Sequence, residues 1–260
     1  MENILVIGNG FDIAHGLNTR YSDFINFCNA VAVAYQNNKN QFVEQLELEL
    51  NCVFKEKSVL QKAKKYFMQS DENSNSHKFM ELCLENYWLD YVNVNKEFIG
   101  EKWSDFEYVI AEQIEMLSYI SNHFDLYTSG TELVRTKYSN KLVILFDEIR
   151  EHGQSSSSDF HYLIEQFKKF LVDELDNLTW MLEIYLTRFL NTKTKTLELF
   201  ETLPVTKLIS FNYTETFFKM YHQKTVKAHY IHGTALKDRA TENNNMVFGI
   251  GTEIKNTSDD

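Results

Sequence analysis

Glu2-Asn3-Ile4-Leu5-Val6-Ile7-Gly8-Asn9-Gly10 decides the fold. A short, β-branched aliphatic run leading straight into a glycine turn reads as a buried parallel strand followed by a tight connection. Strand grammar returns only after Pro204, the single proline, with predicted strands at Val205–Phe211, Lys227–His232 and Met246–Gly249. Between these ends, from Tyr21 to about Phe200, the chain has no proline and spaces its apolar residues by threes and fours, as amphipathic helices do. Polar breaks fall at Gln36–Asn40, Asp71–Ser76 and Ser155–Ser158. Trp103-Ser104-Asp105-Phe106-Glu107-Tyr108 predicts a helix start, with Ser104 as cap, Glu107 three residues on, and Phe106, Ile110, Ile114 and Leu117 along one face. A second long helix is predicted from Ser158 to about Asn191. Lys141–Phe146 fits either a strand or part of a helix.

Strands at both ends and helices between them predict one α/β domain over residues 1–260. Its parallel sheet core comes from 1–30 and 201–260, and a large helical insertion occupies about 31–200. A chain of 260 residues buries a sizeable core. The net charge is −11 with no Lys/Arg-rich run, which argues against bulk nucleic acid and anionic membrane as partners. The opening apolar run is too short for a signal peptide and no stretch has the length of a membrane span, so a cytoplasmic location is expected. Cys28, Cys52 and Cys83 are too far apart for metal-binding pairs and read as reduced, mostly buried thiols.

Chemistry-bearing residues gather at the predicted strand ends. Gly8-Asn9-Gly10 after a strand meets the physical requirement of a phosphate cradle, because glycine allows close backbone approach and a following helix start attracts anions. A dehydrogenase fingerprint is disfavoured: Ile13 stands where it wants glycine, and Asp23 opens a helix rather than ending a second strand. Ser210-Phe211-Asn212-Tyr213-Thr214 closes one later strand and Ile231-His232-Gly233 the next. Parallel sheets bind ligands along the carboxyl edge of their strands, so Gly8, Gly10, Asn212 and His232 are expected to converge on one cleft.

Gly8-Asn9-Gly10-Phe11-Asp12-Ile13-Ala14-His15-Gly16-Leu17, followed by Tyr21-Ser22-Asp23-Phe24, resembles the opening signature of the AbiH (abortive infection) family. Trp103-x-Asp105-x-Glu107, Phe211-Asn212-Tyr213-Thr214, His232-Gly233 and Phe248-Gly249-Ile250-Gly251 resemble its later blocks, so the likeness spans the chain. More distantly, the same blocks are similar to sirtuins and sirtuin-like NAD hydrolases of phage defence. The resemblance implies a Rossmann-like, sirtuin-like sheet and a bacterial anti-phage protein that binds NAD, as substrate or ligand. By position, Asn212 resembles the sirtuin asparagine that orients the nicotinamide ribose or the attacking water, and His232 the general base. Gly8, Asn9, Gly10, Phe11, Asp12, Asp23, Ser210, Gly233 and Gly249 fall where nucleotide contacts are implied. Ser210, Phe211 and Thr214 replace the sirtuin threonine, glutamine and aspartate, and the sirtuin zinc cysteines have no counterpart. A protein deacylase is therefore disfavoured and no metal is expected. Sirtuins continue beyond the block at Phe248-Gly249 with further secondary structure, and whether those sheet elements are lacking here is left open by the sequence.

Ordinary roles compete with each of these. The glycine turn can join strand to helix without a ligand. Asp12 and Asp23 suit helix N-termini, the capping geometry accounts for Glu107 and the dipole for Asp105, and Asn212 suits a turn at a strand end. His15 either contacts ligand or caps its own loop, and His229 alternates along its strand with Ile231. Two functional classes remain: a hydrolase of the nicotinamide N-glycosidic bond of NAD, triggered during phage infection, or a sensor or scaffold for NAD, an ADP-ribose-like signal or a phage protein. Oligomerisation is left open by the sequence.

Overall fold

The structure is a computed structural model describing residues 3–37, 41–68, 71, 74–95, 106–111, 113, 157–190, 196–223, 225–236 and 245–248. The chain divides into two compact units, Met1–Leu84 with Thr179–Phe248, and Glu85–Leu178 with Gly249–Asp260. It is a mixed α/β protein, mostly helical, with a small parallel sheet of three strands.

The aliphatic run forms β1 (Ile4–Ile7). Past Gly8 the chain turns directly into the short helix α1 (Asn9–Ala14). Then come α2 (Tyr21–Asn37), α3 (Phe42–Val53), α4 (Lys57–Phe67), α5 (Asn75–Glu85) and α6 (Tyr87–Val94). Residues 106–111 and 113 are helical, with Phe106 and Ile110 buried on one face as the spacing predicts. Ser104, Ile114, Leu117 and Lys141–Phe146 lie outside the described residues. The long helix α7 (Ser157–Ile184) continues through a π-helical turn, Tyr185–Phe189. Its start and end agree with the predicted span to within a few residues. The chain closes with α8 (Glu198–Thr202), β2 (Lys207–Ser210), α9 (Thr216–Tyr221) and β3 (Lys227–Tyr230).

The strand order is β1-β2-β3, all parallel. Ile7, Ser210 and Tyr230 stand in one register row, so all three chains leave the sheet at the same edge. Two predicted strands are longer than those formed. Val205 and Thr206 precede β2, although Thr206 N–H already donates to Asn3 O at 3.0 Å. The segment 245–248 is no strand: Val247 N–H donates to His232 O and Tyr213 Oη to Val247 O, which ties it over the loops beyond β2 and β3. One face of the sheet packs on α1, α8 and α9 through Ile7, Phe11, Leu208, Phe217 and Val226, with Phe200 and Tyr221 against them. On the opposite face Ile4 and Val6 are more than half exposed.

The helical part of the first unit is held by aromatic packing. Phe27, on α2, is fully buried and its ring lies 4.6 Å from Phe189, 5.2 Å from Tyr185, 6.0 Å from Phe54 and 6.1 Å from Phe79. Aromatic residues bury the most area per side chain and gain further from edge and offset contacts. The π turn brings Tyr185 and Phe189 into this cluster, and Tyr185 Oη donates to Asn18 O at 2.8 Å. In the second unit Asn86 caps α6 by accepting from Trp88 N and Leu89 N, while its amide donates to Glu174 O at 2.8 Å. Trp88 is fully buried there, its indole N–H donating to Leu171 O.

Replacing Phe27 with alanine removes the centre of the aromatic cluster and is expected to destabilise the protein by about 3–5 kcal/mol. Val33→Ala, at a half-exposed position of the same helix, should change stability by no more than about 0.5 kcal/mol. Urea unfolding curves of the two variants give the comparison, and similar costs at both sites would contradict a packed aromatic core.

Candidate functional site

The shared carboxyl edge of β1, β2 and β3 brings together residues from the two ends of the sequence. Past Ile7 the chain enters α1, past Ser210 it turns through Phe211–Glu215 into α9, and past Tyr230 it forms the turn of Ile231 and His232. Ser210 is fully buried and builds its turn locally, accepting Asn212 N–H at 3.1 Å. That holds the Asn212 side chain inside, at 4 % exposure, and neither its Oδ1 nor its Nδ2 has a hydrogen-bond partner among the described residues. A buried amide left this way costs about 1–3 kcal/mol, so the turn is not explained by its own stability.

Asp12 faces the same turn. It is 1 % exposed, and its Oδ2 accepts the Thr214 hydroxyl at 2.5 Å while its Oδ1 has no partner among the described residues. Burial raises its pKa above the ordinary carboxylate value, and the hydroxyls of Thr214 and Thr216, the charge of His15 and the Asn212 amide pull it part of the way back. The Tyr230 hydroxyl is also buried without a partner among the described residues, its pKa pushed up to about 12 by burial and by the nearby charges of Glu215 and Asp12. Three strand ends thus each deliver a polar side chain whose hydrogen-bonding capacity the protein leaves open.

His232 is half-buried, and burial lowers its pKa below the usual value for imidazole. Its ring lies 5.8 Å from that of Phe211 and 6.0 Å from that of Tyr213. The segment after it is pinned: Ala235 N–H donates to Tyr213 O at 2.7 Å, and Leu236 N–H to Glu183 Oε1 at 3.0 Å. Gly233 has φ +78° and a Cβ there would lie 2.0 Å from Asn245 O, so only glycine fits. Gly8 and Gly10 are different. Neither has positive φ, and a Cβ on either meets nothing within 4 Å. No side chain caps α1 behind them. The packing of the protein therefore gives no reason for glycine at 8 or 10, and the space beside them is open.

A family model described as bacteriophage abortive infection AbiH matches residues 4–259. The chain belongs to this AbiH family. Searches of curated proteins and of solved structures returned no match.

Within this AbiH protein, Gly8, Gly10, Asp12, Ser210, Asn212, His232 and Gly233 sit on the connections that leave one sheet edge. Other predicted residues have local duties. Asn9 Oδ1 accepts the Thr19 hydroxyl at 2.6 Å, which ties the start of α1 to the segment before α2. Phe11 is core, its ring 5.1 Å from Phe200 and 4.2 Å from His15. Asp23 accepts Arg20 N–H at 3.0 Å at the start of α2, the carboxylate half of a capping box. Gly249, Trp103 and Asp105 lie outside the described residues, as do Ile250 and Gly251. His15 has both ring nitrogens engaged within the protein. Its Nδ1 can only donate to Phe11 O, at 2.6 Å, so in the neutral ring Nε2 accepts from Tyr221 Oη, at 2.5 Å, and that oxygen in turn accepts Leu197 N–H. His229 is exposed on β3. Sequence reasoning missed Thr216, Tyr221, Tyr230 and Glu183, because each is defined by a partner far along the chain. The hydroxyl pair Thr214-x-Thr216 at a helix start is the one signal that was there to find.

Two glycine substitutions should separate the two kinds of glycine. Gly233→Ala is expected to lose about 1–3 kcal/mol through its left-handed backbone and the contact with Asn245. Gly10→Ala should leave stability unchanged or raise it by about 0.5 kcal/mol, as alanine does in a helix. Equal losses at both, measured by urea unfolding, would mean that position 10 is filled by protein after all.

Proposed function

We propose that this sheet edge binds a dinucleotide of the NAD class and that, on phage infection, the protein cleaves its nicotinamide N-glycosidic bond. The reading carries the family's role in abortive infection to a chemistry: loss of NAD stops the growth of the infected cell. It follows the likeness of the Gly8–Gly10, Asn212 and His232 blocks to sirtuin-like NAD hydrolases, and treats the small parallel sheet as the core of that Rossmann-like arrangement. The observation that favours it is the pairing of open space at Gly8 and Gly10 with the buried, unpartnered Asn212 amide. Glycines that packing does not require, together with a buried amide that has no partner among the described residues, offer a ligand both room and a hydrogen-bonding group.

The roles follow from the chemistry. The backbone at Gly8–Gly10 allows phosphates close approach at the start of α1, and the Asn212 amide orients a ribose hydroxyl or the attacking water. As the bond from the ribose anomeric carbon to the nicotinamide nitrogen breaks, water adds to that carbon and gives up a proton, which His232 accepts. Nicotinamide leaves with the bonding electron pair. Burial keeps the imidazole neutral at physiological pH, the state a proton acceptor needs. Activity would therefore be lost as pH falls through a pKa below about 6.5, the ordinary value, and would be retained above it.

One observation favours a second reading, a sensor that binds the nucleotide without turnover. Among the described residues no carboxylate or carbonyl holds the His232 ring, as an orienting partner usually does for a catalytic histidine. Nicotinamide release from NAD by the purified protein, with and without phage lysate as trigger, decides between them. The hydrolase predicts release that falls by about a hundredfold or more in His232→Ala, and that fails in Asn212→Ala, with NAD still raising the melting temperature of the histidine variant. Stabilisation by NAD without release would establish the sensor. Neither release nor stabilisation, with lysate present, would remove the nucleotide from this site.

A further inference from the structure

The buried polar side chains at the sheet edge differ in what they can still offer, and that difference defines what they can receive. Asp12 Oδ2 accepts the Thr214 hydroxyl, whose single proton is spent there. The contact of 2.9 Å between Thr214 Oγ1 and Thr216 Oγ1 must then be donated by Thr216. One acceptor, Asp12 Oδ1, is left without a partner among the described residues. Beside it stands Asn212, 4 % exposed and, among the described residues, unpartnered at both polar atoms. Asn212 stands two residues before Thr214, close enough for its amide to act on the Asp12 carboxylate, and Nδ2 is the atom of that amide that can donate.

We infer that Asp12 Oδ1 and Asn212 Nδ2 form a subsite for a neutral hydroxyl of the ligand, which donates to the carboxylate and accepts from the amide. This rests on the nucleotide reading above and assigns Asp12 a specificity-determining role within it. The other ligand chemistries fit less well. A phosphoryl oxygen could accept from Asn212 but would meet the charge of a desolvated carboxylate, where like charges repel strongly. An ammonium could donate to Asp12 but has no lone pair with which to accept from Asn212 Nδ2. A metal ion would need several oxygen lone pairs, whereas the groups around Asp12 present their protons: Thr214 to the carboxylate, Thr216 to Thr214 and Asn212 through its amide. A hydroxyl is both donor and acceptor and satisfies both neighbours at once. In a dinucleotide the groups that match are the ribose hydroxyls, with the phosphates held elsewhere, over Gly8 and Gly10.

The test uses the full chain and NAD itself, with NADP and the four analogues of NAD that each lack one ribose hydroxyl, by isothermal titration. The subsite predicts that one deoxy analogue binds at least tenfold more weakly than NAD while the others bind like it, because a site built to hydrogen-bond a hydroxyl rejects the ligand lacking it. Asp12→Asn should weaken NAD by a similar factor yet cost nothing further on that one analogue. A merely structural role for Asp12 would weaken all the ligands alike. Equal binding of NAD and all four analogues to the wild-type chain would overturn the subsite while leaving nucleotide binding intact, and this arm needs no variant to fold. Failure of NAD and NADP alike to bind would instead overturn the nucleotide reading, and the hydroxyl subsite with it.

Discussion

The parallel pairing of Ile4–Ile7 with Lys207–Ser210 is the constraint on which the candidate site depends. It joins segments 203 residues apart, as in the bond from Asn3 N–H to the Thr206 hydroxyl. Closing a flexible loop of that length costs about 5 kcal/mol beyond the length-independent part. Four-residue strands cannot meet this from hydrogen bonds alone, because each is worth only about 1 kcal/mol net. The remainder comes from burial of Ile7, Phe11, Leu208, Phe217 and Val226, two to three such side chains being enough at about 1.5–3 kcal/mol each. The helices between the strands shorten the problem, since a segment already folded against Phe27 and Phe189 is no longer a flexible loop.

The parts of the fold that sequence periodicity encodes were legible. Ile4–Ile7 could be read as a strand from its composition, and α7 from the long run of apolar residues after Ser158, because the information is local to each element. The sheet's extent was less so: Val205 and Thr206 have strand composition but precede the ladder, and Met246–Phe248 forms no strand, Val247 bonding instead to His232 O and the Tyr213 hydroxyl. Of the candidate site, the glycines and the polar residues at strand ends were legible because parallel topology forces strand ends to one edge. The partners were not. Nothing near His15 announces Tyr221, and nothing near Asp12 announces Thr214, since both contacts arise only when α9 packs beside α1.

Those same contacts explain why the polar side chains divide into satisfied and unsatisfied sets. Asn9 is matched by Thr19, His15 by Phe11 and Tyr221, and Ser210 by the Asn212 backbone. Each of these pairs fixes the course of the backbone. Asp12 Oδ1, the Asn212 amide and the Tyr230 hydroxyl are unmatched among the described residues, and Asp12 and Asn212 are carried by segments that the satisfied set has already fixed. A protein that leaves buried polar atoms open while hydrogen bonds hold the backbone around them has given up stability at a place whose geometry is fixed. That combination is costly in a purely structural turn and useful in a site that must present hydrogen-bonding groups in a fixed geometry.

It follows that the site and the sheet open together. Asp12 belongs to the first segment and Thr214, Asn212 and Tyr221 to the last, and the bonds Asp12–Thr214 and His15–Tyr221 cross between them beside the strand ladder. Local opening that separates β1 from β2 therefore breaks Asp12–Thr214 and His15–Tyr221 as well. A ligand that bridges Gly8–Gly10 and Asn212 would bind only the paired state and so would stabilise the sheet before it stabilised the helices. Occupancy of the site would in this way strengthen the long-range connection on which the site depends.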